Sequence, residues 1–591
     1  MTLTPLDWTI IAVYLIGCMS AGIWMRRYVS NVEDFAVAGR EMDLNLGIAS
    51  LAATEMGLVT VMYTAQMGFT HGFAGAVPGV CYCVVMLLVG ITGFVIFPLR
   101  KAGVITIPEL FEKRFGKRVR WLAGLVVVVG GILNMGIFLR LGGEFLMGVA
   151  GFDTQAAFHL TWIGRDFSIG YLETVMISLL ALVLLYTVLG GMLSVLVTDY
   201  LQFLVLGMGL VVTSILVVWN FGWSDIVSGL ERAGQAGQTY TESRKAENEA
   251  FYARMENVRQ QDGAATAEKL KEEWEAERAE QMRRNAAALA ENHVLLDTKK
   301  PNDPKPLVME EPFNPFTSFG GMWVFWQVIL HIAVVTTWQT SIARVLSARD
   351  ETTAKKIYRR TSFYLVGRFA LPGLWGATAF LYFCARGGLP EGADSMSAMP
   401  QFLGQILPMG VIGLLVAAML AAEMSTDSGY LLTWATVIYN DLIMPCLRKP
   451  LSPRAKLLLV RLMVAAIGVF LVFYGLVYEL PDLAWDYLAV TGNIYLASVF
   501  TLLVGALYWR GANRWGAMTA IVLGAVGPLA FLIVNAIVKD PAKQIPASLA
   551  GLSSFALSFA GMIVGSWLAR ALGHVDDGPN ANDPQIEEAT T

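Results

Sequence analysis

Along most of its length the chain alternates between apolar runs of about 20 residues, the length an α-helix needs to cross the hydrocarbon of a bilayer, and short polar stretches that hold most of the charges. Lipid offers no partner to a backbone N–H or C=O, so such runs must be helices. The pattern predicts thirteen spans, at roughly 5–25, 43–71, 76–99, 119–151, 169–189, 192–221, 317–345, 359–384, 407–440, 455–478, 484–509, 514–538 and 548–571. An odd number of crossings places the two ends of the chain on opposite sides of the membrane.

The loops decide which end is where. Arg26 and Arg27, Arg100 and Lys101, Lys117 and Arg118, Lys355 and Lys356, Arg448 and Lys449, and Arg510 with Arg514 fall between alternate pairs of spans. The loops near His71, Phe152, Gly387 and Glu479 carry almost no basic residues. By the positive-inside rule the N-terminus is outside and the C-terminus inside. No basic residue precedes the first apolar run, which therefore reads as an uncleaved first helix. Residues 573–591 are polar and read as a disordered cytoplasmic tail.

One stretch breaks the membrane pattern. Residues 223–312 are rich in Glu, Lys, Arg, Ala and Gln and fall outside. Asp262-Gly263 divides them into two pieces, with thin apolar stripes at Phe251, Met255 and Val258 and then at Leu270, Trp274 and Met282. That spacing predicts a charged two-helix hairpin, ending in a linker through Pro301, Pro304 and Pro306. A solvated surface is the simplest reading of such a segment. The organisation is then a first membrane half (1–222), the insertion (223–312), a second half (313–510), two accessory spans (511–572) and the tail.

Composition agrees with a membrane protein: 15% of residues are charged, against about 25% in soluble domains. The formal net charge of −4 says little by itself, because the charge is unevenly placed, and nothing in the sequence suggests nucleic-acid binding. Of the five cysteines, Cys18, Cys81, Cys83 and Cys384 lie in apolar runs and Cys446 beyond one, without metal-ligand spacing. Charge inside a span is costly and marks function by default. The candidates are Glu55, Arg140, Glu144, Asp199, Arg368, Glu423 and Asp427. Asp199 and Arg368 sit near cytoplasmic ends, where snorkelling or capping accounts for them, and for Arg368 that is the preferred account.

The most informative segment is Ala421-Ala422-Glu423-Met424-Ser425-Thr426-Asp427-Ser428 in the ninth span. Ala422, Ser425 and Thr426 stand at i, i+3 and i+4 and share a helix face. A hard cation takes several oxygens, and two hydroxyls with one carbonyl make three. The remainder must come from a helix with a broken hydrogen-bond ladder. Ala52-Ala53-Thr54-Glu55-Met56-Gly57, followed by Thr60, Thr64 and Gln66, has the glycine and hydroxyl content of one.

Four passages together resemble the sodium:solute symporter family, whose members include sodium/proline, sodium/pantothenate, sodium/glucose and sodium/sialate carriers. They are Asp34-Phe35-Ala36-Val37-Ala38-Gly39-Arg40, Ala53-Thr54-Glu55-Met56, Gly190-Gly191 through Thr198-Asp199 to Gln202, and Ala422–Ser428 with Tyr439-Asn440-Asp441. The resemblance covers nearly the whole chain apart from the insertion. It implies an all-α LeuT-type inverted-repeat fold, with one helix before a ten-helix core and two after it, and with spans 2 and 7 broken near the midplane. By the same resemblance the principal sodium ligands are the carbonyls of Ala53, Met56 and Ala422 and the hydroxyls of Ser425 and Thr426. Some relatives hold a second sodium, for which Asp199 and Ser428 match here, although Gly429 lacks the hydroxyl expected next. Substrate contacts are expected from Glu55, from Trp338 and Gln339 in the polar run of span 7, and from Arg140, whose guanidinium suits a carboxylate bidentately. Glu144, one turn on, is the competing partner of Arg140.

The expectation is a plasma- or inner-membrane symporter, not an enzyme, that imports a small organic solute with sodium as the coupling ion. The solute leans towards a carboxylate, with a sugar or polyol as the alternative. A proton-coupled version would use Glu55 or Asp427, and a membrane sensor would use the insertion to bind a partner. The topology is checked by thiol labelling: Gln261→Cys should react with an impermeant reagent added to intact cells, and protection there would reverse the orientation.

Overall fold

The computed structural model describes residues 3–29, 32–151, 157–162, 165–238, 311–386, 389–390, 393–447, 451–477, 484–538 and 543–573, with 250, 253–254, 269, 295–296, 306–307 and 309 between them. These residues are almost entirely helical, and ten of their helical segments are long and apolar enough to cross a membrane. One of the ten, α8 (Tyr171–Phe221), has 51 residues. Straight, it would run roughly 75 Å, far more than the ~30 Å of hydrocarbon. It breaks at Gly191, where φ is 54° and ψ −147°. A Cβ at Gly191 would stand 2.5 Å from the Phe35 ring, so both backbone and packing require glycine.

Two further helices are interrupted. α2 (Leu44–Glu55) stops at Met56, with φ −98° and ψ 57°, and α3 (Leu58–His71) resumes beyond an extended Gly57. α10 (Gly321–Thr337) stops at Trp338, with ψ 107°, and α11 (Gln339–Ser347) continues from it. Between these broken pairs lie α4 (Val77–Thr92), α5 (Ile107–Phe115), α6 (Lys117–Met135) and α7 (Phe138–Ala150).

α12 (Glu351–Cys384) begins with a cap: the Asp350 carboxylate accepts from the Thr353 N–H at 2.7 Å and from its hydroxyl at 2.9 Å. The backbone N–H holds the Asp350 carboxyl below its usual range. α12 thus starts well before the apolar run near 359, because its first three turns carry Lys355, Lys356, Arg359 and Arg360. α13 (Val411–Val437) and α15 (Ala484–Tyr508) are buried over almost their whole length. α8 packs along α13, and α12 crosses α3 and α4. At the rim, α14 (Pro453–Val477), α16 (Arg514–Gly524) and α17 (Val526–Ile537) expose Leu458, Leu462, Phe473, Val522 and Ile533, as lipid-facing helices do. α18 (Ala547–Ala571) packs on α16 and α15.

Two features differ from an all-helical chain. Before α8 an antiparallel hairpin pairs β1 (Ala157–Trp162) with β2 (Arg165–Gly170), in register Phe158↔Ile169 and Leu160↔Phe167. Its sequence alternates apolar and polar residues, a period of two that favours a strand. A two-residue pair, β3 (Leu295–Leu296) with β4 (Pro306–Leu307), lies in the charged segment. That segment also does not leave the protein at once. Residues 223–238 continue as helix with Ile226 and Leu230 buried, and on the return the Pro312 carbonyl accepts from the Ala74 N–H at 2.8 Å. The expected hairpin around Asp262-Gly263 and the tail beyond Gly573 lie outside the described residues.

Gly191→Val should cost about 1–3 kcal/mol from backbone strain alone, before the collision with Phe35. The readout is a lower thermal midpoint of the purified protein in detergent.

Candidate ion and solute site

The interruption of α2 faces the middle of α13. The Ser425 hydroxyl lies 3.0 Å from the carbonyl of Ala53 and 3.0 Å from that of Ala422, and it carries one proton for the two acceptors. The Thr426 hydroxyl donates to the Thr54 carbonyl at 3.1 Å. A Cβ at Gly57 would stand 2.6 Å from Thr426 Oγ1, so glycine lets the break approach α13. The result is a compact cluster of oxygens from Ala53, Thr54, Ala422, Ser425 and Thr426, the donor type a hard cation prefers. The Met56 N–H turns back to Ala52 and Ala53. The neighbour of Ser425, Ser428, donates to the Ser425 carbonyl at 3.2 Å.

Asp199 and Ser428, expected at a second ion site, have different hydrogen-bond partners. Asp199 is wholly buried, neither snorkelling nor capping. Its Oδ2 accepts from Ser50 at 2.6 Å, lies 3.4 Å from the Thr54 hydroxyl, and is 3.3 Å from Arg344 Nη2. Sequence reading passed over Arg344, because it stands near the end of an apolar run where a basic residue looks like a cytoplasmic anchor. Its wholly buried position follows from the break at Trp338, which turns α11 against α2.

Beside the α2 break lies a cavity of about 600 Å³, counted with its open mouth. Glu55, Thr60, Asn134, Trp338, Arg368 and Tyr430 are among its lining residues. Arg368 corrects the snorkelling account. It reaches Glu55 Oε2 at 2.8 Å, Thr60 Oγ1 at 3.0 Å and Tyr63 Oη at 3.4 Å, and its guanidinium lies 5.2 Å from the centre of the Tyr82 ring. The early start of α12 puts Arg368 roughly 25 Å along the helix, too deep to reach the interface. The other carboxylate oxygen of Glu55 accepts from the Ser341 hydroxyl. Trp338, at the second break, stacks on Tyr495 with ring centres 5.8 Å apart.

Arg140 is not among the cavity-lining residues. It pairs with Glu144 at 3.2 Å, both side chains being about a quarter exposed, and its Cβ faces Gly475 of α14. Gln339 is buried but serves the scaffold, accepting from the Ile107 N–H at 3.4 Å. Glu423 and Asp427 are buried on another face of α13. A Cβ at Gly142 would meet Glu423 Oε1 at 2.8 Å, and neither that atom nor Asp427 Oδ1 has a hydrogen-bond partner among the described residues. At the end of the same helix Asp441 ties α13 to α5 and α6 by accepting from Thr106 at 2.9 Å and Arg120 at 2.8 Å.

Known proteins can now be set beside this geometry. The sequence matches the family model described as "Sodium:solute symporter family" over residues 35–259 and 276–524. It is 26% identical to the sodium/mannose cotransporter of Bos taurus, over 88% of this chain and 79% of that one. It is 25% identical to sodium/glucose cotransporter 1 of Mus musculus, over 88% and 70%. Among solved structures it shares its fold with a substrate-bound, outward-open Na+-coupled sialic acid symporter, at a TM-score of 0.68 and 16% identity, over 96% of this chain and 98% of that one. The match extends through most of the charged segment as well as both membrane halves. The chain is a multi-pass membrane protein and belongs to the sodium:solute symporter family.

Proposed function

We propose that this protein imports a small polyhydroxyl solute together with sodium, by alternating access across thirteen membrane crossings with the N-terminus outside and the C-terminus inside. The observation that carries the reading is the meeting of the Ser425 and Thr426 hydroxyls with the Ala53 and Thr54 carbonyls at the break of α2, next to a cavity lined by Glu55. Sodium takes the oxygens of Ala53, Ala422, Ser425 and Thr426, with the Met56 carbonyl turning in when the ion binds. The backbone that holds the ion and the side chain that meets the solute are then consecutive residues. An ion that draws α2 onto α13 also fixes Glu55, so each ligand favours the form that binds the other.

A polyol fits the cavity for a physical reason. Its hydroxyls donate to Glu55 and accept from Arg368 without separating the pair, whereas one partner removed from a buried ion pair costs about 3–5 kcal/mol. Trp338 and Tyr430 supply aromatic faces for the C–H side of such a ring. The curated relatives named for mannose and glucose support this reading. A carboxylate-bearing solute is the second reading, favoured by the Arg368 fork: its acid group would have to displace Glu55. The case for Arg140 as the carboxylate anchor weakens with its pairing to Glu144.

Ser425→Ala should raise the sodium concentration for half-maximal uptake about tenfold, equivalent to ~1.4 kcal/mol. Solute half-saturation at saturating sodium should change little. Equal sodium dependence in variant and parent removes Ser425 from the ion site.

Uptake into proteoliposomes from a panel of neutral polyols and organic acids identifies the solute class. Neutral polyols should drive sodium-dependent uptake, Trp338→Ala should weaken it about tenfold (~1.4 kcal/mol), and Arg140→Gln should leave the preference unchanged. Uptake of acids alone would select the second reading.

A further inference from the structure

The cavity beside the α2 break has polar groups beyond the Glu55–Arg368 pair. His331 lines it too, two turns before the break at Trp338 and roughly 10 Å from it along α10. Its Nδ1 lies 2.7 Å from the Gln327 carbonyl, one turn earlier. A carbonyl oxygen can only accept, so Nδ1 carries the proton and donates it. This bond fixes the tautomer and leaves Nε2, with its lone pair, for the cavity. Two neighbours hold the ring in place. It stacks on Trp485 of α15, with ring centres 6.0 Å apart and planes 12° apart, and the Tyr82 ring of α4 stands 5.4 Å from it.

Charge keeps the imidazole neutral. Glu55, the carboxylate among the lining residues, is already bonded to Arg368 and Ser341. A second cation in the cavity would stand beside Arg368 uncompensated, which a membrane interior penalises. In the neutral ring Nε2 only accepts. Trp485 supplies the complement. It also lines the cavity, and its indole N–H, which only donates, is buried without a hydrogen-bond partner among the described residues. Such a donor costs free energy until something accepts from it. An acceptor and a donor thus stand on two stacked rings. A hydroxyl can serve both, whereas a carboxylate oxygen has no proton to give.

We infer that His331 and Trp485 form a subsite for a hydroxyl of the solute, which donates its proton to His331 Nε2 while the Trp485 N–H donates to a hydroxyl oxygen of the same solute. The inference rests on the polyol reading above and adds to it a second anchoring point, with the direction of each hydrogen bond there. Glu55 and Arg368 hold the solute next to the ion, and His331 with Trp485 holds another of its hydroxyls. A site built to pair a hydroxyl rejects the analogue that lacks it, because the site's own polar groups are then left unpaired. His331 therefore sets which position of a polyol ring has to carry a hydroxyl.

Competition in proteoliposomes of the full chain tests this. Radiolabelled D-glucose, D-mannose and myo-inositol are offered under a sodium gradient, and the one taken up is competed with its own monodeoxy and monofluoro derivatives. Fluorine has no proton to give. In the wild type it should weaken competition about tenfold at the position facing His331 as well as at the position facing Glu55, as severely as hydrogen does. His331→Phe keeps a stacked ring and removes the acceptor. It should abolish the penalty at one of those positions and keep it at the other, raise solute half-saturation about tenfold, and leave sodium half-saturation at saturating solute unchanged. A wild type that tolerates fluorine everywhere, or everywhere but at one position, overturns the inference without relying on any variant to fold, and leaves the polyol reading intact. A folded His331→Phe, verified by its melting profile, that keeps the wild-type pattern also overturns it. No sodium-dependent uptake of any of the three removes the polyol reading and this inference with it.

Discussion

A helix that stops inside a bilayer leaves peptide groups with no water to turn to, and each group left unsatisfied costs several kcal/mol. α2 stops at Met56. Its released carbonyls must find donors or a cation, and the hydroxyls of Ser425 and Thr426 on α13 meet those of Ala53 and Thr54. The rest of the central architecture serves this meeting. Gly57 removes the side chain that would hold α13 away, α13 is enclosed on nearly every side, and the second break at Trp338 brings α11 against the same segment.

Charge compensation follows the same plan. Two buried ion pairs converge on α2 from different directions: Glu55 reaches Arg368 on α12, and the hydroxyls of Ser50 and Thr54 sit between Asp199 of α8 and Arg344 of α11. A buried pair adds little net stability over well-packed apolar residues, but breaking one is expensive. These pairs therefore specify position more than they stabilise. They tie α2 to α12, α8 and α11, while its carbonyls tie it to α13. A movement that shifts α2 has to renegotiate all of these contacts together, and this gives the segment the cooperativity that coupled binding of an ion and a solute requires.

Sequence alone determined the membrane class, nearly all of the helical runs, the family and the oxygen face of α13. Each depends on local spacing: run length, loop charge, or residues at i, i+3 and i+4. The kink at Gly190-Gly191 was legible for the same reason, as the gap between two apolar runs. Partnership among the charged residues was not. Arg140 has its partner one turn away, but Arg368 and Glu55 are 313 positions apart and Arg344 and Asp199 are 145 apart. No periodicity reports such distances. Arg344 and Arg368 resembled cytoplasmic anchors because charged turns and a helix break hid where their helices begin. Only the tertiary structure set them at depth, since a guanidinium remains inside a bilayer only where a folded chain brings it a carboxylate and enough acceptors to replace water.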